Sequence, residues 1–223
     1  MKQEISPRQK QILYYLAREQ VDNSEPVSSI QIKEKYDLEF SPATIRHELF
    51  ELCQMDYLEQ PHISAGRILS DIGWQILISD FLDNVFMEDI LDPPDDLEEL
   101  AKMLSIQTKA LGIVYDWGNN VIYKKGLEYV LNDKTIDELK ELALIAKTID
   151  GLDEKLDSFK DMVHEKQINV FFGKKNPLFK IDNLTLICTK SNNDQVFLGV
   201  ITPKATNYED HFKLFKSLIN SLN

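Results

Sequence analysis

Apolar residues in the first third of the chain recur at helical spacing, and the breaks between the runs carry helix-cap residues. In residues 7–20, Ile12, Leu13, Leu16 and Ala17 share one face, with Ser6 at the N-cap and Pro7 at the first helical position. Asp22-Asn23-Ser24-Glu25-Pro26 breaks this helix, and Ser28 or Ser29 caps a short second one ending near Tyr36. After a turn at 37–41, Ser41 followed by Pro42 starts a third helix, in which Ile45, Leu49 and Leu52 mark the buried stripe. Leu58 to Leu69 reads as a two-stranded wing whose tip is near Ser64-Ala65-Gly66. Asp71 to Phe86 returns to helix, with Trp74, Leu77, Ile78, Phe81 and Leu82 spaced for packing. Helix, turn, helix and wing in this order predict a winged helix-turn-helix, a module that reads DNA.

The acidic Pro-Pro segment at 88–99, EDILDPPDDLEE, marks a boundary. The expected organisation is a DNA-binding domain at 1–87, an acidic linker and helix at 88–110, and a second domain at 111–223. Leu97 to Lys109 is amphipathic, and Gly112–Tyr123 has a strand–turn–strand pattern around Gly118-Asn119-Asn120. Thr135 to Val163 is helical with a break at Asp150-Gly151, and Ile136, Leu139, Leu142, Ala143, Ala146 and Ile149 are its expected core positions. Ile168–Phe172, Leu184–Thr189 and Gln195–Thr202 are β-rich, and Tyr208–Leu222 closes with a helix. This mixture predicts the α+β class.

Composition narrows the function. With 43% hydrophobic and 28% charged residues over 223 positions, the chain is an ordinary folded protein. It has no apolar run long enough to span a membrane and no apolar stretch of the signal-peptide kind near its start, so a cytoplasmic location is expected. Cys53 and Cys188 are far apart, which suits a reducing compartment, and His164 and His211 stand away from them at no ligand spacing. No metal, no cofactor and no catalysis are expected, since no Gly-rich phosphate loop, nucleophile elbow or H-E-x-x-H occurs. The net charge is −12, and residues 1–80 hold 8 Lys and Arg against 13 Asp and Glu, a net of −5. DNA binding therefore requires the few cations to be gathered on one face.

The candidate contacts follow from that requirement. Ser41, Ala43 and Thr44 stand at the start of the third helix, where side chains reach deepest into a major groove, and Ala43 and Thr44 suit thymine methyls. Ala43 and His47 point away from the buried stripe, with Thr44 and Arg46 on its flanks. Arg46 is the leading contact, to phosphate before guanine because of its flank position, and no carboxylate lies three or four residues from it. His47 can donate to a base or a phosphate. In the wing, His62, Ser64, Gly66 and Arg67 are candidates: Gly66 to give the turn its backbone freedom, and Arg67 to enter a minor groove or hold a phosphate. Lys33 and Lys35 end the second helix, where they can touch phosphate, although helix C-termini favour Lys in any case.

The segments SEPVSS, SPATIRHELFEL, YLEQPHISAGR and DIGW, in this order between Ser24 and Trp74, resemble the HrcA family of heat-inducible transcription repressors. Later, VIYKKGLEYVL, INVFFGKKNPL and FLGVITPKATNYED are similar to the family's final strands and its late Gly-Pro-x-Arg-Met-x-Tyr element. The resemblance implies a homodimeric winged-helix repressor of chaperone operons that binds double-stranded DNA at an inverted repeat, the CIRCE operator. It also implies the chaperonin GroEL as a partner, and a GAF-like second domain interrupted by an inserted dimerisation domain. The chain is shorter than the family's members. Its gap between Ser105 and Val121 implies a shortened GAF-like domain without its early strands or most of the insertion. The dimer interface would then use the 97–109 helix or the exposed GAF-like surface. His47 stands where the family has Asn, and Phe50 where it has a small residue. Thr202 and Ala205-Thr206 replace its late Gly and Arg-Met, while Tyr208 matches. The rival reading is a chaperone-facing or ligand-sensing interaction protein that has lost operator binding, which the acidic balance favours.

Overall fold

A serine opens each of the first three helices of the computed structural model. Residues 5–85, 92–132, 139–191 and 195–221 are described, and the chain divides into two units, one ending at Asn84 and one starting at Val85. In the first unit α1 spans Pro7–Asn23, α2 Ser29–Tyr36 and α3 Pro42–Gln54. Ser6 and Ser28 form reciprocal caps with Gln9 and Gln31: each hydroxyl accepts the Gln backbone N–H, and each Gln side chain accepts the serine N–H. Ser41 accepts from the Thr44 N–H at 3.1 Å, and Pro42 takes the first helical turn, where no N–H is needed. The stripes Ile12, Leu13 and Leu16 of α1 and Ile45, Leu49 and Leu52 of α3 are buried.

The strands β1 (Leu58–Glu59) and β2 (Ile68–Leu69) follow, antiparallel, and then α4 (Asp71–Asn84). The buried Gln20 side chain accepts the Leu69 N–H at 2.7 Å, which ties this small sheet to α1. The strands are shorter than the sequence pattern predicts, because Gln60 to Arg67 leave the ladder. Pro61 has no N–H to donate to it, and Arg67 pairs with Val27 instead. Of the expected final helix of this region, Phe86 lies outside the described residues, as do residues 88–91 of the acidic segment.

The second unit is built on β3 (Leu111–Asp116), β4 (Val121–Lys125), β5 (Asn169–Phe172), β6 (Leu184–Lys190) and β7 (Val196–Pro203). These pair antiparallel in the order β4-β3-β7-β6-β5. The helices are α5 (Leu97–Thr108), α6 (Leu127–Leu131), α7 (Leu139–Asp150), α8 (Leu152–Phe159) and α9 (Tyr208–Ser221). Mixed helices and antiparallel sheet agree with the α+β class. One sheet face, with Ile113, Leu186 and Phe197, packs on Ile145 and Ile149 of α7 and Leu152, Leu156 and Phe159 of α8. On the other face α5 comes so close that a Cβ at Gly112 would lie 2.4 Å from the Ala101 carbonyl oxygen. On that face too, α9 brings the Tyr208 hydroxyl to 3.3 Å from Thr185 Oγ1. Covering both faces explains why the interior strands read as nearly unbroken apolar runs.

One expectation is borne out here, and the core of α7 is corrected. The strand–turn–strand pattern expected at Gly112–Tyr123 is present as β4 and, between it and β7, the inner strand β3. Lys109, at φ 49°, ends α5 and turns the chain directly into that strand. In α7 the buried positions are Ile145, Thr148 and Ile149, with Leu142 packed partly against them. Leu139, Ala143 and Ala146 fall on the opposite face and are exposed, and Ile136 lies outside the described residues. Helix α6 was not anticipated, since five residues are too few to show a period.

Helices α5 and α9 meet at His211, which is 3% exposed and sits with Nε2 3.1 Å from the Thr108 carbonyl oxygen. Burial lowers its pKa from 6.5 to about 4, outweighing the opposite pull of the Thr108 carbonyl and Asp210. The unfolded chain binds this proton near pH 6.5 and the folded chain only near pH 4. Stability is therefore fully present above the unfolded value and is lost as pH falls through this window. At about 1.4 kcal/mol per unit, the loss reaches roughly 3 kcal/mol. His47, His62 and His164 are exposed. Thermal melts should decline between pH 7 and pH 5, and His211→Gln should flatten that decline; an equally steep fall in the variant would acquit His211.

Candidate nucleic-acid interface

Helix α3 buries Ile45, Leu49 and Leu52 and thereby turns Ala43, Arg46 and His47 to solvent. Among the described residues no carboxylate pairs with Arg46. The nearby Glu48 is taken by Arg8 of α1, with Nη1 3.0 Å from Oε1. Ser41 and Thr44 turn their hydroxyls toward each other at 2.9 Å, so both serve the helix start. His47 has Nε2 3.9 Å from Glu51 Oε1 one turn on.

The loop from Gln60 to Arg67 is braced from within. Gln60 Nε2 donates to the carbonyl oxygens of Ile63 at 2.8 Å and Ala65 at 3.1 Å, and the Ala65 N–H donates to His62 O at 2.9 Å. At its end, the Val27 N–H donates to Arg67 O at 2.9 Å and the Arg67 N–H to Val27 O at 2.8 Å. This pairing corrects the expected part of Gly66. Among the described residues the glycines with positive φ are Gly126 and Gly173, so Gly66 is not needed for a left-handed turn. It is needed for room: a Cβ there would lie 2.4 Å from the Val27 carbonyl carbon and oxygen.

Arg67 is likewise placed differently from a free tip residue. Its Nε donates to Cys53 Sγ at 3.1 Å, and Nη1 to the carbonyl oxygens of Ala65 at 3.3 Å and Gly66 at 3.4 Å. The guanidinium is half-buried against the end of α3 and organises the loop as well as adding charge to it. His62, Ile63 and Ser64 form the exposed outer part.

A groove of about 330 Å³ opens between the start of α2, the outer side of α3 and this loop. It brings Arg46, Ser64, Gly66 and Arg67 together, with two cations and no carboxylate among its lining residues. Ser41, Ala43, Thr44, His47 and His62 do not line it, and neither do Lys33 and Lys35. Lys33 donates to the Leu38 carbonyl oxygen, closing the end of α2. Lys35 lies 2.5 Å from Glu19 and 3.2 Å from Asp22, and its hydrogen bonds to those carboxylates raise its pKa. Both lysines are thus engaged within the unit. The pattern of apolar positions missed Gln60 and Ile63 as groove residues. A polar side chain directly before Pro61 in a turn is the one signal that pointed to Gln60.

Residues 76–211 match the family model described as the HrcA protein C-terminal domain. The heat-inducible transcription repressor HrcA of Caldanaerobacter subterraneus subsp. tengcongensis is 36% identical over 142 residues, which are 63% of this chain and 40% of that protein. The protein of the same name from Carboxydothermus hydrogenoformans is 36% identical over 140 residues, 57% of this chain and 41% of that protein. That from Synechococcus sp. (strain JA-3-3Ab) is 43% identical over 90 residues, 40% of this chain and 23% of that protein. The chain thus spans about 40% of the length of the first curated relative. A solved structure described as a hypothetical protein at 2.2 Å resolution shares the fold, with a TM-score of 0.79 at 21% identity over 98% of this chain and 96% of that one.

The tight approach at Gly66 is directly testable. Gly66→Ala must push the loop off Val27 and break the paired backbone bonds, at a cost of about 1–3 kcal/mol. A lowered thermal midpoint by circular dichroism is expected, and an unchanged one would show that the loop yields without cost.

Proposed function

The chain belongs to the HrcA family, and we propose that its first unit is a winged helix-turn-helix that reads double-stranded DNA. In this reading α2 and α3 are the helix-turn-helix, α3 is the recognition helix, and the Gln60–Arg67 loop with β1 and β2 is the wing. The second unit is the shortened GAF-like domain. The protein is a cytoplasmic repressor without catalytic activity that silences heat-shock and chaperone genes. A homodimer occupies an inverted repeat of the CIRCE type, with one recognition helix in each of two major grooves, and blocks transcription sterically. The chaperonin GroEL is the partner that couples repression to stress.

The observation that carries this reading is the groove that gathers Arg46 and Arg67 in an acidic chain without one lining carboxylate. Phosphate attraction is the sequence-independent part of DNA affinity, so a chain of net charge −12 has to concentrate it. Arg46 supports the reading most directly, being exposed and without an acidic partner among the described residues. Ser41, Ala43 and Thr44 at the start of α3 and His47 beside Arg46 complete the proposed contact surface, with His62, Ser64 and Gly66 in the wing. Lys33 and Lys35 contribute less, being held by Leu38, Glu19 and Asp22.

An electrophoretic shift on a duplex carrying the inverted repeat tests this. The wild-type chain should bind as a dimer with an affinity that drops steeply with salt. Arg46→Ala should weaken it about 5- to 150-fold, the range of a lost base or phosphate contact, and reduce the salt slope by about 0.9. A chain that ignores the repeat, or stays monomeric on it in sedimentation runs, would instead favour the interaction-protein reading.

A further inference from the structure

Unit one hides most of its large apolar side chains, and two of the three exposed ones among the described residues line a single groove. Its exposed large hydrophobics among the described residues are Ile30 at 50%, Phe50 at 53% and Ile63 at 100%. One comes from α2, one from α3 and one from the wing loop, while α1 and α4 have none among the described residues. Ile30 and Ile63 line the groove that holds Arg46. Full exposure of an isoleucine is unfavourable to solubility and has no folding benefit, so its concentration beside the cations marks a contact surface.

Ile63 is presented in a fixed way. Its carbonyl is held by Gln60, the next residues are held by the same amide and by Arg67, and the loop's end is paired to Val27. A floppy tip would lose binding energy in being ordered; this one is already ordered. We propose that Ile63 is an apolar contact at the wing tip that enters the minor groove beside the recognition site and packs against its deoxyribose walls. Nearby Arg67 supplies charge while Ile63 supplies surface without charge, as apolar side chains do in other minor-groove proteins. A protein partner would also accept an isoleucine. The carboxylate-free lining with Arg46 and Arg67 next to it selects a polyanion instead.

The inference rests on the reading of unit one as a DNA-binding module, and the experiment separates the two. Binding of the full chain to a duplex carrying the inverted repeat is measured by fluorescence anisotropy over a series of salt concentrations. The variants are Ile63→Ser, Ile63→Val and Arg46→Ala. Ile63→Ser should weaken binding about 3- to 30-fold, as expected for losing an aliphatic side chain that is partly buried in the complex, at an unchanged salt slope because no counterion is involved. Ile63→Val should keep most of the affinity, and Arg46→Ala should lower the slope. Since Ile63 touches no core, melts of these variants should match the wild type. Wild-type affinity in Ile63→Ser overturns the proposal and leaves the DNA reading standing, as does a loss confined to self-association. A wild-type chain that fails to bind the duplex overturns both.

Discussion

Everything proposed for the first unit depends on one close approach of backbone to backbone. Val27 and Arg67 exchange two hydrogen bonds, at 2.9 and 2.8 Å, and they can do so because Gly66 puts no carbon in the way. Val27 directly precedes Ser28, the cap of α2, and Arg67 directly precedes β2. The pairing therefore joins the start of one helix to the end of the Gln60–Arg67 loop. A loop of this length left free would carry a large ordering cost at about 1–2 kcal/mol per residue. Here that cost is met during folding by Gln60, Arg67 and Val27 acting on the loop from three sides.

Charge is arranged by the same logic of pairing. Arg8 holds Glu48, Lys10 holds Asp80, and Lys35 holds Glu19 and Asp22. Each pair removes a cation and a carboxylate from the field felt at a distance. The cation of each pair is about half exposed, and pairs open to solvent on one side stabilise little, so their main effect is on the shape of the potential. Arg46 is left with its charge unopposed on a chain that is otherwise strongly negative. Its neighbourhood is what distinguishes it from other exposed arginines.

The helices and caps of the first unit were legible because each rests on local chemistry: Ser6, Ser28 and Ser41 open helices, and Ile45, Leu49 and Leu52 show their period. The expected positions of Arg46 and Arg67 on one surface also follow from the sequence, through the helix angle and the wing. What was not legible depends on distance along the chain. Nothing near Gly66 reveals that Val27 will press on it, and nothing near Arg67 shows that Cys53 will accept its Nε hydrogen. In the second unit, strands covered on both sides read clearly as apolar runs, whereas the exposed alanines of α7 looked like core. Alanine suits either face of a helix, so its position has to be decided by the packing partner. The short helix α6 was likewise set by tertiary packing.

The braced loop from Gln60 to Arg67 also separates two kinds of residue that sit side by side. Gln60, Gly66 and Arg67 hold the frame through backbone atoms and space, while His62, Ile63 and Ser64 point outward and carry little of the frame with their side chains. The outer three can change chemistry without disturbing the fold, whereas the frame tolerates almost nothing. The outer chemistry of the loop can then vary one residue at a time, on a frame that stays constant.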